Sequence, residues 1–252
     1  MSHTYADVDA SDEPDAAVDW QQFMATWPSV VAYKRRTRDL LDNAALVLDV
    51  GCGPGDDLLA LGPGRCVGAD RSAAMCSRAR ERGATVVHAD AELLPFRDST
   101  FSGVRSDRTL QHVADPVAAL RELVRVAQRG APVVVSDPDQ DSLVIEVPSV
   151  RQSVLDRLKA LRRDVGYRNG RWISKAPSIL ERLGADVTVV EAFPVVIRDP
   201  AEAFGLPTWP AHWQEAGGFT DDELAEWNDA MTSPTPGFLY SLTFFVVAGR
   251  KR

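Results

Sequence analysis

The sequence predicts an α/β protein in which helices cover both faces of a doubly wound, mostly parallel sheet. Two observations support this. Between residues 45 and 136, short apolar runs typical of buried strands alternate with helix-like segments, and such an alternation produces βαβ units with parallel strands. The first apolar run also ends in a glycine cluster, Gly51 to Gly55, as a buried parallel strand often does before a helix.

Turn and capping signals define the individual elements. Ser72 is placed to cap a helix that Gly83 ends, and Asp115 with Pro116 opens another helix. The predicted strands cover residues 45–50, 65–69, 85–88, 101–106 and 132–136, and the predicted helices cover 56–61, 72–82 and 116–128.

After residue 137 the regular alternation of strand-like and helix-like segments ends. The chain is therefore predicted to have three regions: an N-terminal arm with helices (1–43), a core (44–139), and a cap or substrate region with the last strands (140–252). The arm predicts two helical pieces on either side of Pro28. The cap region predicts helices over 148–165 and 177–183, strands over 187–190 and 239–248, and a tryptophan-rich segment over 201–235. We expect that segment to cover the carboxyl edge of the sheet.

Composition excludes several classes of partner. The formal net charge is -8, and an acidic surface repels a phosphate backbone, so no nucleic-acid partner is expected. The densest basic cluster, Lys34, Arg35, Arg36 and Arg38, is interpreted as a solvated helix face. The sequence contains no apolar run of about 18 residues, so no membrane-spanning helix is predicted. The start of the chain is acidic, so no signal peptide is predicted. The three cysteines lack paired spacing, which fits a reducing cytoplasm and no metal site.

The glycine loop indicates a ligand site. Glycines at the end of a strand let the backbone turn sharply and let a ligand lie against the main chain. The dinucleotide fingerprint is G-x-G-x-x-G, whereas the third glycine here, Gly55, comes one residue earlier. Asp56 and Asp57 at the start of the next helix would repel a phosphate. The loop therefore suits a ligand that carries an ammonium and a sulfonium better than a dinucleotide.

Acidic residues follow the next two strands. Asp70 ends the second strand, where a carboxylate can accept hydrogen bonds from both hydroxyls of a ribose. Asp90 follows the third strand and could accept a hydrogen bond from an adenine amino group, with Ala91 offering its backbone amide. The alternatives are that the loop is a structural turn and that Asp70 is a helix-capping carboxylate.

Together with neighbouring segments, these motifs resemble the class I S-adenosylmethionine-dependent methyltransferases, and more narrowly the ubiquinone/menaquinone-type small-molecule family. The resemblance spans residues 45–139 and lies in Val47–Gly55, Gly68–Met75, His88–Phe96 and Leu110–Pro116. It implies a Rossmann-like fold with a seven-stranded sheet and S-adenosylmethionine as the cofactor. By this resemblance the cofactor-binding residues are Gly51, Cys52, Gly53, Gly55, Asp70, Arg71, Met75, Asp90, Ala91, Arg105 and Arg108. Arg129 departs from the glycine pair usual before the fifth strand.

Methyl transfer chiefly requires that the acceptor be held in line and water excluded. A hydroxyl acceptor also benefits from a base, and His112, after the fourth strand, is the candidate catalytic residue. The alternative is that His112 caps the next helix. The candidate substrate residues are Asp137, Tyr167, Trp209, His212 and Trp213. Alternatively, Asp137 caps the following helix, His212 is a packed histidine of the cap, and the aromatic side chains form the cap's own core.

The sequence thus predicts a cytoplasmic monomer or homodimer that methylates an O, N or C atom of a small organic molecule, in specialised metabolism. Two alternatives stay open. One is a methyltransferase acting on a macromolecule, and the other is a relative that binds S-adenosylmethionine without transferring its methyl group. A nicotinamide dehydrogenase is disfavoured by the glycine spacing.

Overall fold

The protein is described by a computed structural model that covers residues 23–62, 64–203, 205–214, 218–232 and 236–252. Within these residues a seven-stranded sheet has the order β3-β2-β1-β4-β5-β7-β6. The strands are β1 (Val47–Val50), β2 (Cys66–Asp70), β3 (Thr85–His88), β4 (Gly103–Asp107), β5 (Pro132–Glu146), β6 (Ala185–Ile197) and β7 (Leu239–Lys251). The first five strands pair in parallel, and β7 lies antiparallel between β5 and β6. The predicted fold class is confirmed.

Helices flank the sheet. They are α1 (Pro28–Asp39), α2 (Asp56–Leu61), α3 (Ala73–Glu81), α4 (Pro116–Val126), α5 (Gln152–Asp164), α6 (Ala176–Arg182), α7 (Trp209–His212) and α8 (Asp221–Thr232). The predicted caps are present: the Ser72 hydroxyl accepts from the Met75 N–H, and Asp115 accepts from the N–H groups of Val117 and Ala118. These caps satisfy helix N–H groups that have no partner inside the helix.

β5 and β6 are much longer than the sequence predicts, and β7 extends three residues beyond its predicted end. β5 runs for 15 residues to Glu146, because β7 continues the hydrogen-bonded ladder beside it. Asp137 was expected beyond the end of the strand over residues 132–136, but it lies inside β5, paired with Phe245; Asp139 also lies inside β5, paired with Thr243. That expectation was wrong because a run of Asp and Pro usually marks a turn.

Two apolar cores lie on opposite faces of the sheet. One core joins α1, α2 and α3 to α5 and the tryptophan-rich segment, including Trp209 and Trp227. The other joins α4 and α6 to β1, β4 and β5. The cap region therefore shares a continuous core with α1, and this arrangement brings both segments onto the same face of the sheet.

Candidate functional site

The glycine loop between β1 and α2 has left-handed backbone at three positions, with φ of 75° at Gly51, 53° at Gly53 and 89° at Gly55. The Gly51 N–H donates to the Ala69 carbonyl over 2.7 Å, which ties the loop to the end of β2. A Cβ atom at Gly51 would overlap the side chain of Thr109. The loop can therefore turn and pack only with glycine at this position.

Cys52 contributes its backbone to this loop and its side chain to the core. The thiol is buried, and a Cβ atom at Gly68 would lie 2.5 Å from the Cys52 sulfur. Burial, with the nearby Asp70 carboxylate, raises the pKa of the Cys52 thiol. The side chain is therefore an inert packing group, and only the main chain of Cys52 is available to a ligand.

The two predicted acidic residues lie at neighbouring strand ends. The Asp70 carboxylate accepts from the Gly53 N–H over 2.8 Å and from the Ser72 N–H over 2.9 Å. Asp90 is exposed and accepts from the Glu92 N–H over 2.9 Å. Strands β2 and β3 are parallel neighbours, so both carboxylates lie at the same edge as the glycine loop. A half-buried carboxylate against a glycine loop fits a ribose, so the residues present fit an adenosyl ligand.

The remaining cofactor candidates occupy varied surroundings. Met75 and Ala91 are buried near this edge, whereas Arg71 is exposed and its carbonyl lies 2.7 Å from His88 Nε2. Arg108 directly follows β4 with φ of 54°, and its N–H donates to the Ser136 carbonyl over 2.7 Å. These four positions stay predictions for cofactor contact.

Arg105 has a different setting from the one predicted. Its side chain is only 1% exposed, and its guanidinium donates to Asp49 and to Asp57, each over 2.9 Å, and to Thr37 over 3.2 Å. Asp107 lies 3.2 Å away. Since its donors are already engaged inside the protein, we assign Arg105 to this buried network and not to the proposed cofactor set.

The basic cluster of α1 takes part in the same network. Lys34 is buried between Asp57, with which it forms a close ion pair, and Asp107, 3.2 Å away. Arg38 pairs with Asp57 over 2.9 Å, and Arg36 pairs with Glu191 on β6 over 2.8 Å. The interpretation of a solvated face was therefore wrong for these three side chains, because the carboxylates that they meet are distant in sequence.

The network also compensates the negative charges at the start of α2. Burial raises the pKa of Asp57, but Arg105 and Lys34 outweigh it and hold that pKa well below its usual range. Asp56 pairs with Arg82 over 2.6 Å. Both carboxylates are thus neutralised by protein cations, so the repulsion of phosphate inferred from the sequence is weaker than expected.

The turn after α5 brings the catalytic and substrate candidates together. The Asn169 N–H donates to the Gln111 carbonyl over 3.0 Å, and its side-chain amide donates to the Val113 carbonyl over 2.7 Å. This docking places the Tyr167 ring 5.5 Å from the half-buried His112 ring, measured between centroids. The loop that carries His112 begins at Thr109, whose side chain packs against Gly51 of the glycine loop.

A residue that sequence reasoning missed lies beside Tyr167. Arg162 on α5 donates to the Tyr167 hydroxyl over 3.0 Å, and its guanidinium carbon lies 3.6 Å from the centre of the Trp209 ring. Tyr167 and Trp209 thus both contact the guanidinium of Arg162. The sequence shows Arg162 only as one charge in a basic helix, a pattern that usually indicates a solvated face.

Asp137 is a fully buried carboxyl group. Trp172 donates to its Oδ2 over 2.8 Å, while its Oδ1 has no partner among the described residues. Burial, with the nearby Asp107 charge, raises the pKa of Asp137 well above its usual value. The group is therefore suited to a hydrogen bond in its neutral form rather than to an ion pair.

The other two substrate candidates are separated. His212 is exposed at the end of α7, whereas the half-buried Trp213 ring lies 6.4 Å from Trp209. The structure therefore brings His112, Tyr167 and Trp209 into one chain of contacts and leaves His212 at the surface. No histidine, cysteine and carboxylate group of three or more is placed to hold a metal among the described residues. None of the described helices has the length and apolarity needed to cross a membrane.

Comparisons with known proteins agree on one family. Residues 48–135 match the family described as "Methyltransferase domain". The chain is 31% identical over 185 residues to a demethylmenaquinone methyltransferase of Roseiflexus, covering 69% of this chain and 67% of that protein. It is also 40% identical over 142 residues to an uncharacterized transposon protein of Streptomyces fradiae, covering 52% of this chain.

These alignments differ in how much of each relative they include. The chain spans only 41% of the length of the Streptomyces protein, and less than half of the length of further curated relatives that it matches. Among solved structures, a Thermotoga maritima S-adenosylmethionine-dependent methyltransferase, described as a possible histamine N-methyltransferase, superposes with a TM-score of 0.61 over 100% of both chains at 17% identity. At this level of sequence identity, the superposition shows a shared fold only.

Proposed function

The chain belongs to the class I S-adenosylmethionine-dependent methyltransferases of the quinone type, and we propose that it transfers a methyl group from S-adenosylmethionine to a small organic acceptor. When bound, this cofactor supplies a methyl carbon that is activated by its bond to a sulfonium sulfur. Acceptor and methyl carbon then have to be held in line, in a site from which water is excluded.

The observation that carries the proposal is the contact between Asp70 and the glycine loop. Its carboxylate bonds to the Gly53 N–H, so the acidic end of β2 is fixed against the turn after β1. In this arrangement Asp70 would bind the ribose hydroxyls, and Asp90 with Ala91 would bind the adenine. The backbone of Gly51 to Gly55 would lie along the amino-acid end of the cofactor.

On the acceptor side, His112 would take a proton from a hydroxyl or amine acceptor. Its ring lies beside Tyr167, and Tyr167 continues to Arg162 and Trp209. A half-enclosed aromatic and polar surface of this kind suits a small molecule better than a flat macromolecular surface. The acidic net charge of -8 also disfavours nucleic acid as the acceptor.

Calorimetric titration with S-adenosylmethionine and S-adenosylhomocysteine, with NAD as the comparison, tests the cofactor. Micromolar-range binding of the adenosyl ligands alone is expected. Asp70→Ala should lose at least tenfold in affinity, because the ribose hydroxyls lose a charged acceptor. Asp229→Ala, which removes an exposed carboxylate on α8, is the matched control. Binding of NAD instead, or an unchanged affinity of Asp70→Ala, would contradict the assignment.

Turnover separates the enzyme from its alternatives. A methyl-labelled cofactor is incubated with the protein and a panel of small hydroxyl, amine and carbon acids, or with total tRNA and protein. Label in a small acceptor supports the proposal. Label only in tRNA or protein favours a macromolecular substrate, and tight cofactor binding without any transfer favours a relative that does not methylate.

A further inference from the structure

We propose that Arg162 binds an oxyanion of the methyl acceptor, so that the substrate is a small molecule bearing a carboxylate or a phosphate. This inference rests on the proposed methyl transfer and narrows its substrate class. Arg162 lies on α5, which packs on the same face of the sheet as α1 and the tryptophan-rich segment.

Among the described residues, Arg162 is a buried cation with no carboxylate beside it. The residue is 6% exposed, and no Asp or Glu oxygen among the described residues lies within 4.0 Å of its guanidinium. Its neighbours on the same helix are paired: Arg157 with Glu223 over 2.8 Å and Arg163 with Asp164 over 2.6 Å. An arginine keeps its proton in proteins, and burying an uncompensated charge is strongly unfavourable.

The contacts that Arg162 does make leave donors available. It stacks on Trp209 and lies 5.1 Å from the centre of the Tyr167 ring. One guanidinium nitrogen donates to the Tyr167 hydroxyl over 3.0 Å, and Arg162 is close enough to the buried Tyr240 hydroxyl to lower its pKa against the effect of burial. The Nε atom has no partner among the described residues. A planar, partly engaged fork of this kind matches the geometry of a carboxylate or phosphate.

A second polar side chain points to a ligand at the same turn. Gln140 on β5 is 2% exposed, and neither its amide oxygen nor its amide nitrogen has a partner among the described residues. Its backbone N–H donates to the Gly170 carbonyl over 2.9 Å, and its side chain packs against Gly170. Buried amides are normally hydrogen-bonded. In the part of the chain that the structure describes, an amide without a hydrogen-bond partner and a guanidinium without a neighbouring carboxylate thus flank the turn of residues 166–170.

That turn also reaches the catalytic candidate. Tyr167, which accepts from Arg162, lies 5.5 Å from His112 between ring centroids. An acceptor anchored at Arg162 by its anionic end would extend past Tyr167 toward His112 and the glycine loop. A dedicated cation is also needed for such a substrate, because the chain carries a net charge of -8 and repels anions at long range.

Calorimetry with simple probes tests the proposal. Benzoate, phenyl phosphate and the neutral benzamide are titrated into the protein with and without saturating S-adenosylhomocysteine. We expect at least one oxyanion probe to bind tenfold more tightly than benzamide, and the stronger of the two identifies the anionic group. Arg162→Met should lose that preference, while Arg162→Lys, which keeps the charge without the fork, should keep part of it. Arg163→Met is the matched control with unchanged preference.

The outcomes separate this inference from the proposed function. If S-adenosylhomocysteine does not bind to the wild type, the methyltransferase proposal fails, whereas the probe comparison is still read in its absence. If benzamide binds as well as benzoate and phenyl phosphate, if no probe binds, or if Arg162→Met keeps the preference, the oxyanion site is refuted.

Thermal melting provides a second measurement. Because removal of an unpaired buried charge is neutral or stabilising, Arg162→Met is expected to melt at the wild-type temperature or above it. A lower melting temperature together with unchanged probe binding would assign Arg162 to packing on Trp209 and overturn the proposal.

Discussion

The Thr109 side chain occupies the space that a Cβ atom on Gly51 would need. Gly51 also has φ of 75°, a conformation that costs other residues about 1–2 kcal/mol. We therefore expect Gly51→Ala to displace the loop, to lower the free energy of unfolding and to weaken S-adenosylmethionine binding by at least tenfold. Denaturant unfolding and calorimetry measure the two effects.

Two further variants separate backbone strain from the overlap. Gly83 has φ of 86° but open space around its Cα, so Gly83→Ala reports strain alone and should leave cofactor affinity unchanged. In a Gly51→Ala/Thr109→Gly double variant the overlap is removed, and part of the affinity should return. A Gly51→Ala protein that binds the cofactor normally would show that the loop can move without consequence.

The buried ion network predicts a large loss of stability on removal of its central cation. In Arg105→Met, the carboxylates of Asp49 and Asp57 lose a partner inside the protein. We expect the free energy of unfolding to fall by about 3–5 kcal/mol, since a broken buried pair leaves a charge uncompensated. Urea unfolding measures the change.

An added Asp49→Asn substitution provides the internal control for that prediction. Burial raises the pKa of Asp49 to about 7, with Arg105 opposing the rise. Without Arg105, the buried Asp49 carboxylate has lost its partner and destabilises the folded state. Asp49→Asn should therefore recover part of the stability in the Arg105→Met background. Additive losses from the two substitutions would show that the pair is not coupled.

Asp137 predicts a pH-dependent difference. Its folded pKa is raised well above its usual value, so the unfolded chain releases this proton at lower pH than the folded protein does. Its contribution to stability is therefore full below pH of about 4 and is lost as the pH rises through the folded pKa. Asp137→Asn, which cannot ionise and can still accept from Trp172, should melt increasingly above the wild type as the pH rises from about 4 toward the folded pKa of Asp137. A constant difference would mean that Asp137 is ionised in the folded state.

Much of the core could be predicted from the sequence because its signals are local. The glycine loop, the Ser72 and Asp115 caps and the strand over residues 85–88 all follow from residues within one element and its flanking turns. The relation of Asp70 to the glycine loop was also accessible, because parallel strands end at a common edge.

The remaining features depend on pairs that are far apart in the chain. Lys34 meets carboxylates 23 and 73 positions away, and two of the carboxylates around Arg105 lie 48 and 56 positions away. No periodicity in α1 distinguishes a buried lysine from a solvated one. The extension of β5 through Asp137 depends on β7, more than a hundred residues later. Arg162 was missed for the same reason, because only the folded chain shows that no carboxylate of the described residues lies beside its guanidinium.

The last prediction concerns His112, whose ring lies beside Tyr167. If His112 accepts a proton from the acceptor, His112→Gln should lower kcat by about 10²–10⁴-fold and leave cofactor affinity unchanged. The residual activity should also lose the acidic limb of the wild-type pH profile, because no side chain then titrates in the role of the base. His212→Gln is the comparison, since His212 is exposed on α7 and a smaller effect is expected. If kcat falls while the shape of the pH profile persists and the melting temperature drops, the His112 side chain positions its loop instead of transferring a proton.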